Sequence, residues 1–109
     1  KSKLKDFPGA INDYTNAIKI DPKNLNAYYN RGNLKIQVKD FLGAIHDFNE
    51  VINVRPNHVY AFRNRAIAKW KLGDQKGSCD DRKRLLFLGD KDTKKWINTL
   101  PGAWCREML

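Results

Sequence analysis

The chain has 109 residues, 41% of them hydrophobic and 30% charged, which suffices for one domain with one modest core. This composition excludes a disordered segment, and no apolar run approaches the roughly 20 residues that span a bilayer. The net charge is +9, of which +3 accrues through Arg55 and +6 beyond it. That imbalance favours an acidic partner and serves solubility equally well. The opening KSKLKDF is basic but lacks the apolar stretch of a signal peptide, and a targeting segment upstream of it stays open. The expectation is a soluble chain without a membrane partner, its compartment unknown and the intracellular (cytoplasmic) reading preferred. The first residue is not Met, and the sequence reads as a piece of a longer protein.

Taken in chain order, the pattern predicts helices near residues 8–20, 25–38, 42–54, 59–72, 76–88 and 92–99. Pro8 falls in the first turn of the first of these, where a missing N–H costs little. Phe41, Ala44, Ile45, Phe48, Val51 and Ile52 recur at three- and four-residue steps, as on an amphipathic helix. Pro56 ends that helix, and Tyr60, Phe62, Ala66, Ile67 and Trp70 outline the next. Gly73 is placed to terminate it and Asp74 to cap its successor. Pro101-Gly102 breaks the last.

Residues 6–39 align over residues 40–73 without a gap, and 12 of 34 positions are identical. Among them are Asp6/Asp40, Gly9/Gly43, Ala10/Ala44, Asp13/Asp47, Pro22/Pro56, Asn30/Asn64, Arg31/Arg65 and Lys35/Lys69. A third copy begins at Asp74 and fades. Small residues at Gly32/Ala66 and Ala10/Ala44/Ser78 keep the period and would let paired helices approach closely. Asp13, Arg31, Asp47, Arg65 and Asp81 form a second periodic series. A planar guanidinium can engage two carboxylates, so this series predicts an inter-repeat ladder in which each Arg bridges the flanking Asp residues; the alternative reading has Arg31 and Arg65 facing an acidic ligand instead. The ladder ends at Thr99, where a third Arg would fall.

The 34-residue period, the aromatic–small–aromatic register (Tyr28, Gly32, Phe41, Ala44, Phe48) and Pro56 resemble the tetratricopeptide repeat (TPR). The second unit matches at Phe62, Ala66, Ser78 and Leu85. It departs at Arg82, where an aromatic is expected, and at Asp90, where a Pro is expected. The resemblance implies an all-α, right-handed α-solenoid of antiparallel helix pairs, about two and a half TPR units plus a capping helix. Its divisions within a single 1–109 domain are the second helix of a truncated repeat (6–24), a full repeat (25–58), a full repeat with a divergent second helix (59–92), and a capping helix with a tail (93–109). Trp96, Ile97, Leu100 and Trp104 are expected to cover the last repeat.

The resemblance also implies a protein-interaction module whose concave groove takes an extended peptide or a partner helix. It places Asn26, Tyr29, Asn30, Asn33, Ile36 and Gln37 in that groove, followed by Tyr60, Arg63, Asn64, Ile67, Trp70 and Lys71. An Asn amide can donate and accept at once, so Asn30 and Asn64 suit a peptide backbone. Tyr29, Tyr60 and Trp70 suit apolar side chains, and Arg63 and Lys71 supply positive charge. The clamp with which some members grip a chaperone's terminal carboxylate fits poorly, because Tyr29 stands where its first Lys belongs. Phe7, Ile11, Tyr14 and Ile18 lack part of their cover, so self-association through that terminal helix is expected; a homo-oligomerisation segment is a second reading. The basic series Lys69, Lys71, Lys76, Arg82, Lys83, Arg84, Lys94 and Lys95 makes an RNA-binding adaptor a third, interrupted by Asp74, Asp80, Asp81, Asp90 and Asp92.

An enzyme is not expected, nor a cofactor or metal. His46 and His58 have no third ligand at metal spacing, Asp90-Lys91-Asp92 lacks the Gly and Glu of a calcium loop, and no phosphate-cradling loop occurs. Cys79 and Cys105 do not make a disulfide framework; Cys79 reads as a small buried hydrophobe and Cys105 as a surface residue.

Overall fold

A computed structural model of the chain describes residues 6–96 and Cys105. Among the described residues six helices follow one another: α1 (Phe7–Ile20), α2 (Leu25–Gln37), α3 (Phe41–Val54), α4 (Val59–Lys71), α5 (Gln75–Phe87) and α6 (Lys91–Trp96). The expected bounds hold to within a residue for the first five. The sixth was expected to reach residue 99, which lies outside the described residues.

Local chemistry sets these ends. The carboxylates of Asp6, Asp40 and Asp74 accept the N–H of Gly9, Gly43 and Gly77 at 3.0, 3.0 and 2.9 Å, capping α1, α3 and α5. Asn24 caps α2 by accepting the Ala27 N–H at 3.1 Å, and His58 caps α4 through Nδ1, which accepts the Ala61 N–H at 3.0 Å. Two kinds of turn alternate. After α2 and α4 the chain passes through the left-handed region at Lys39 (φ 67°) and Gly73 (φ 88°), and the next N–H returns to a carbonyl in the last turn. After α1 and α3 an extended residue leads into Pro22 or Pro56 instead.

The end of α5 breaks this alternation. Gly89 (φ 83°) takes the left-handed conformation and the Asp90 N–H bonds the Leu85 carbonyl at 2.9 Å, so a second helix ends as a first helix does. Asp90, where the proline of the repeat is missing, becomes the cap of α6 by accepting the Thr93 N–H at 3.1 Å. The 34-residue period carries the start of α4 from Val59 to Thr93, yet α6 starts at Lys91.

Helix α2 packs on α1, α3 and α4, and α4 packs on α3, α5 and α2, which gives an α-solenoid of antiparallel pairs measuring 43 × 27 × 21 Å. The core is Ala44, Phe48, Val51, Ala61 and Ala68, with Tyr28, Tyr29, Ile36, Phe41, Ile45 and Ile52 around it. At Gly32 α2 approaches α3 closely, because a Cβ there would stand 2.9 Å from the Phe48 ring. In the following repeat the matching pair is Ala66 and Arg82, so the larger residue goes with the missing ring. Helix α1 packs on α2, and its Phe7, Ile11, Tyr14 and Ile18 are half-buried.

The cysteines correct the sequence reading. Cys79 is buried as expected, but it is bonded to Cys105, with the two Cα atoms 5.4 Å apart. Cys105 is accordingly buried rather than exposed, and Trp96 packs against the pair. The spacing hid this, since the two cysteines lie 26 residues apart in the sequence. Ile97, Leu100 and Trp104 lie outside the described residues, as does Thr99. No helix among the described residues is long and apolar enough to cross a membrane.

Candidate binding face and its supporting clamps

Two acid–base clamps fix the repeats. Arg31 donates to both carboxylate oxygens of Asp47, Nε to Oδ2 at 2.9 Å and Nη2 to Oδ1 at 2.7 Å. Arg65 treats Asp81 in the same way at 2.9 and 2.6 Å. Lys35 and Lys69, one helical turn further on, reach the same carboxylates at 3.3 Å. Both acids are buried, and the hydrogen bonds from Arg31 to Asp47 raise that guanidinium's pKa above its ordinary value, against the opposing cost of burial. Tyr28 and Phe62 lie under the two guanidinium planes at 5.5 and 5.3 Å.

The backward step of the ladder differs from the expectation. The remaining nitrogen of Arg31 donates to Thr15 Oγ1 at 3.1 Å instead of Asp13, and that of Arg65 donates to Asn49 Oδ1 at 2.7 Å instead of Asp47. Both are displaced by two residues along the preceding second helix, and the bidentate grip on the following Asp turns the fork that way. The structure therefore brings Arg31 to Asp47 and Arg65 to Asp81, but as separate clamps and not as one bridged series. Lys35 and Lys69 were visible as an identical pair four residues after each Arg, though without an assigned role; Thr15 and Asn49 differ in identity and gave no periodic signal.

Of the expected groove residues, Tyr29, Asn33 and Asn64 meet where α2 packs on α4. Asn64 Nδ2 donates to Asn33 Oδ1 at 2.7 Å and to Tyr29 Oη at 3.3 Å, tying the two helices together. Tyr29 also leans its ring on Phe48 (centroids 6.0 Å apart) and on His58 (5.2 Å), and Ile36 packs on the core. These two residues are thus partly structural. Asn30, Asn33 and Ile67 are half-buried, whereas Asn26, Gln37 and Lys71 are exposed. Tyr60 and Trp70 are large aromatics left 58% and 43% exposed. Among the described residues no hydrogen bond occupies the Asn30 amide.

Arg63 does not serve as a free positive charge. Its Nη2 donates to Asp90 Oδ1 at 2.7 Å and lies 3.4 Å from Asp92, and its guanidinium sits 5.2 Å over the Tyr60 ring. Burial works against ionisation of Asp90, but hydrogen bonds from Thr93 and Arg63, with the Arg63 charge, hold its carboxyl below the usual range. Arg82 lies beside this group, 4.3 Å over the Trp96 ring, and burial together with the Arg63 charge lowers its pKa. Asp90 was read only as a missing proline; its capping and pairing roles were not anticipated. No group of three His, Cys, Asp or Glu among the described residues could hold a metal ion.

Two family models match the chain: one described as TPR repeat over residues 3–38 and one described as Tetratricopeptide repeat over residues 25–58. The chain belongs to the tetratricopeptide-repeat family. No curated protein matches it in sequence. Among solved structures it resembles the Arabidopsis OM64 TPR domain, at 26% identity over 98% of this chain and 86% of that one, with a TM-score of 0.79. It resembles the first TPR of Spaghetti (RPAP3) bound to the HSP90 peptide SRMEEVD, at 23% identity over 97% and 79%, with a TM-score of 0.76. MamA is similar at 21% identity and a TM-score of 0.76, and the match covers 84% of this chain but only 54% of that one, so the chain spans about half the length of MamA.

Proposed function

We propose that this chain is a protein-interaction module that binds an extended peptide or a partner helix along the face formed by α2 and α4. The observation that carries this reading is the contrast within that face. Asn64 is held by Asn33 and Tyr29, which makes the surface rigid before any ligand arrives, while Tyr60 and Trp70 on the same helix keep large aromatic surfaces exposed. The peptide held by the structurally similar Spaghetti domain supports a peptide ligand, and its sequence is acidic. The net charge of +9 supports the same preference.

The RNA reading gains less. Of its basic series, Lys69 pairs with Asp81, Lys76 with Asp80, Arg82 lies over Trp96, and Arg84 lies over Phe87, so much of that charge is already engaged within the fold.

Selection from a random peptide library, followed by titration of the selected peptides, tests the proposal. The triple variant Asn30→Ala, Tyr60→Ala, Trp70→Ala should bind them at least about tenfold more weakly while keeping the helical circular dichroism of the parent. Equal affinity in the variant would move the binding face elsewhere.

A further inference from the structure

A second feature lies at the edge of the face, where the turn between the repeats meets the start of α2. A cavity of about 490 Å³ opens there, and its polar lining is Lys23, Asn24, Asn26, Arg55 and His58. No carboxylate lines it. A neighbouring depression shares Arg55 and His58 and adds Asn57.

Arg55 is unlike the other described arginines. Arg31, Arg63 and Arg65 each grip a carboxylate, Arg82 lies over Trp96, and Arg84 lies over Phe87 and donates to Asn57. Arg55 alone has none of these among the described residues, and Lys23 likewise forms no ion pair there. The imidazole adds a donor. His58 Nδ1 is occupied as the acceptor of the Ala61 N–H, so the hydrogen of the neutral ring resides on Nε2. Two helices, α2 and α4, also begin at this cavity, at Asn24 and His58, and contribute the positive ends of their dipoles.

We infer that this cavity is a carboxylate subsite that holds an Asp or Glu side chain of the bound peptide beyond the α2–α4 face. The inference rests on the peptide reading above, and Asn26 joins the two regions because it belongs both to that face and to the cavity wall. Arg55 supplies the planar fork that this protein already uses twice on buried carboxylates, Lys23 a second cation, and the Asn24 and Asn26 amides neutral donors. The subsite selects for charge at one position of the peptide rather than for a terminal carboxylate.

The test uses hexaglutamate with acetylated and amidated ends, so that only side-chain carboxylates are present, and hexaglutamine as its neutral match. In ¹⁵N-resolved spectra of the whole chain, hexaglutamate should shift the amides of Lys23, Asn24, Asn26 and Ala61, and hexaglutamine should not. The double variant Lys23→Gln, Arg55→Gln alters two exposed side chains, so it keeps the fold, and it should weaken hexaglutamate about tenfold. The Asn30→Ala variant should leave the cavity shifts in place. Unchanged affinity in the double variant, or no shift at these amides, overturns the subsite. If library-selected peptides still depend on Asn30, Tyr60 and Trp70, the face itself stands. A mixed-sequence RNA that shifts the same amides at lower concentration than hexaglutamate would also overturn the carboxylate assignment.

Discussion

Asp47 and Asp81 are 0% and 3% exposed, and each receives two hydrogen bonds from one guanidinium and the charge of one lysine. A buried carboxylate so held is tolerated, but one stripped of its partner is not. Removing one member of a buried pair costs about 3–5 kcal/mol, because the other charge stays desolvated. Arg31→Met should therefore lower the unfolding free energy by about that amount in urea titration, and the second change Asp47→Leu should recover a large part of it. A stable Arg31→Met protein that had lost only peptide binding would assign Arg31 to the ligand instead. The clamp sits one residue before Gly32, where α2 lies close against the Phe48 ring, so the charge pair and the close approach fix the same crossing. Both were legible in the sequence, since Arg31 and Gly32 recur with Arg65 and Ala66 at the same period. The bonds to Thr15 and Asn49 were not, because a guanidinium's third donor takes whatever acceptor the backbone geometry presents.

At the scale of elements, the helix bounds were readable because caps and terminators are local. The Asp at each second-helix start binds an N–H three residues on, and the prolines act within one turn. What was not readable is the end of α5, where one turn type replaces another. The clue was there, Gly89-Asp90 echoing Gly73-Asp74, but the expected 34-residue register masked it. Asp90 makes that junction pH-sensitive. Its folded-state pKa is depressed, so its contribution is fully present above the unfolded value of about 3.9 and is lost as pH falls through the lower folded value. On acidification from pH 5 to pH 2.5, the Thr93 amide should lose hydrogen-exchange protection before the amides at the α3–α4 packing, and Asp90→Asn should show that loss already at pH 5. Uniform loss across all helices would argue against a local role.

For the molecule as a whole, the Cys79–Cys105 bond ties the far end of the chain to α5 over a separation of 26 residues. Closing a loop of that size stabilises by about 3 kcal/mol in the chain-entropy account. Thermal unfolding should therefore move down by several degrees in reductant, and the Cys79→Ser, Cys105→Ser variant should melt at the reduced temperature whether reductant is present or not. No local pattern could have paired these cysteines, because local patterns act within a few residues and these two stand 26 apart. The same bond also decides how the protein would carry tension. A pull applied beyond Cys105 passes through two sulfur atoms into α5, and α6 with its Asp90 cap is bypassed. Reduction would place that stretch in the line of load and pay out roughly 80 Å of slack once it straightened.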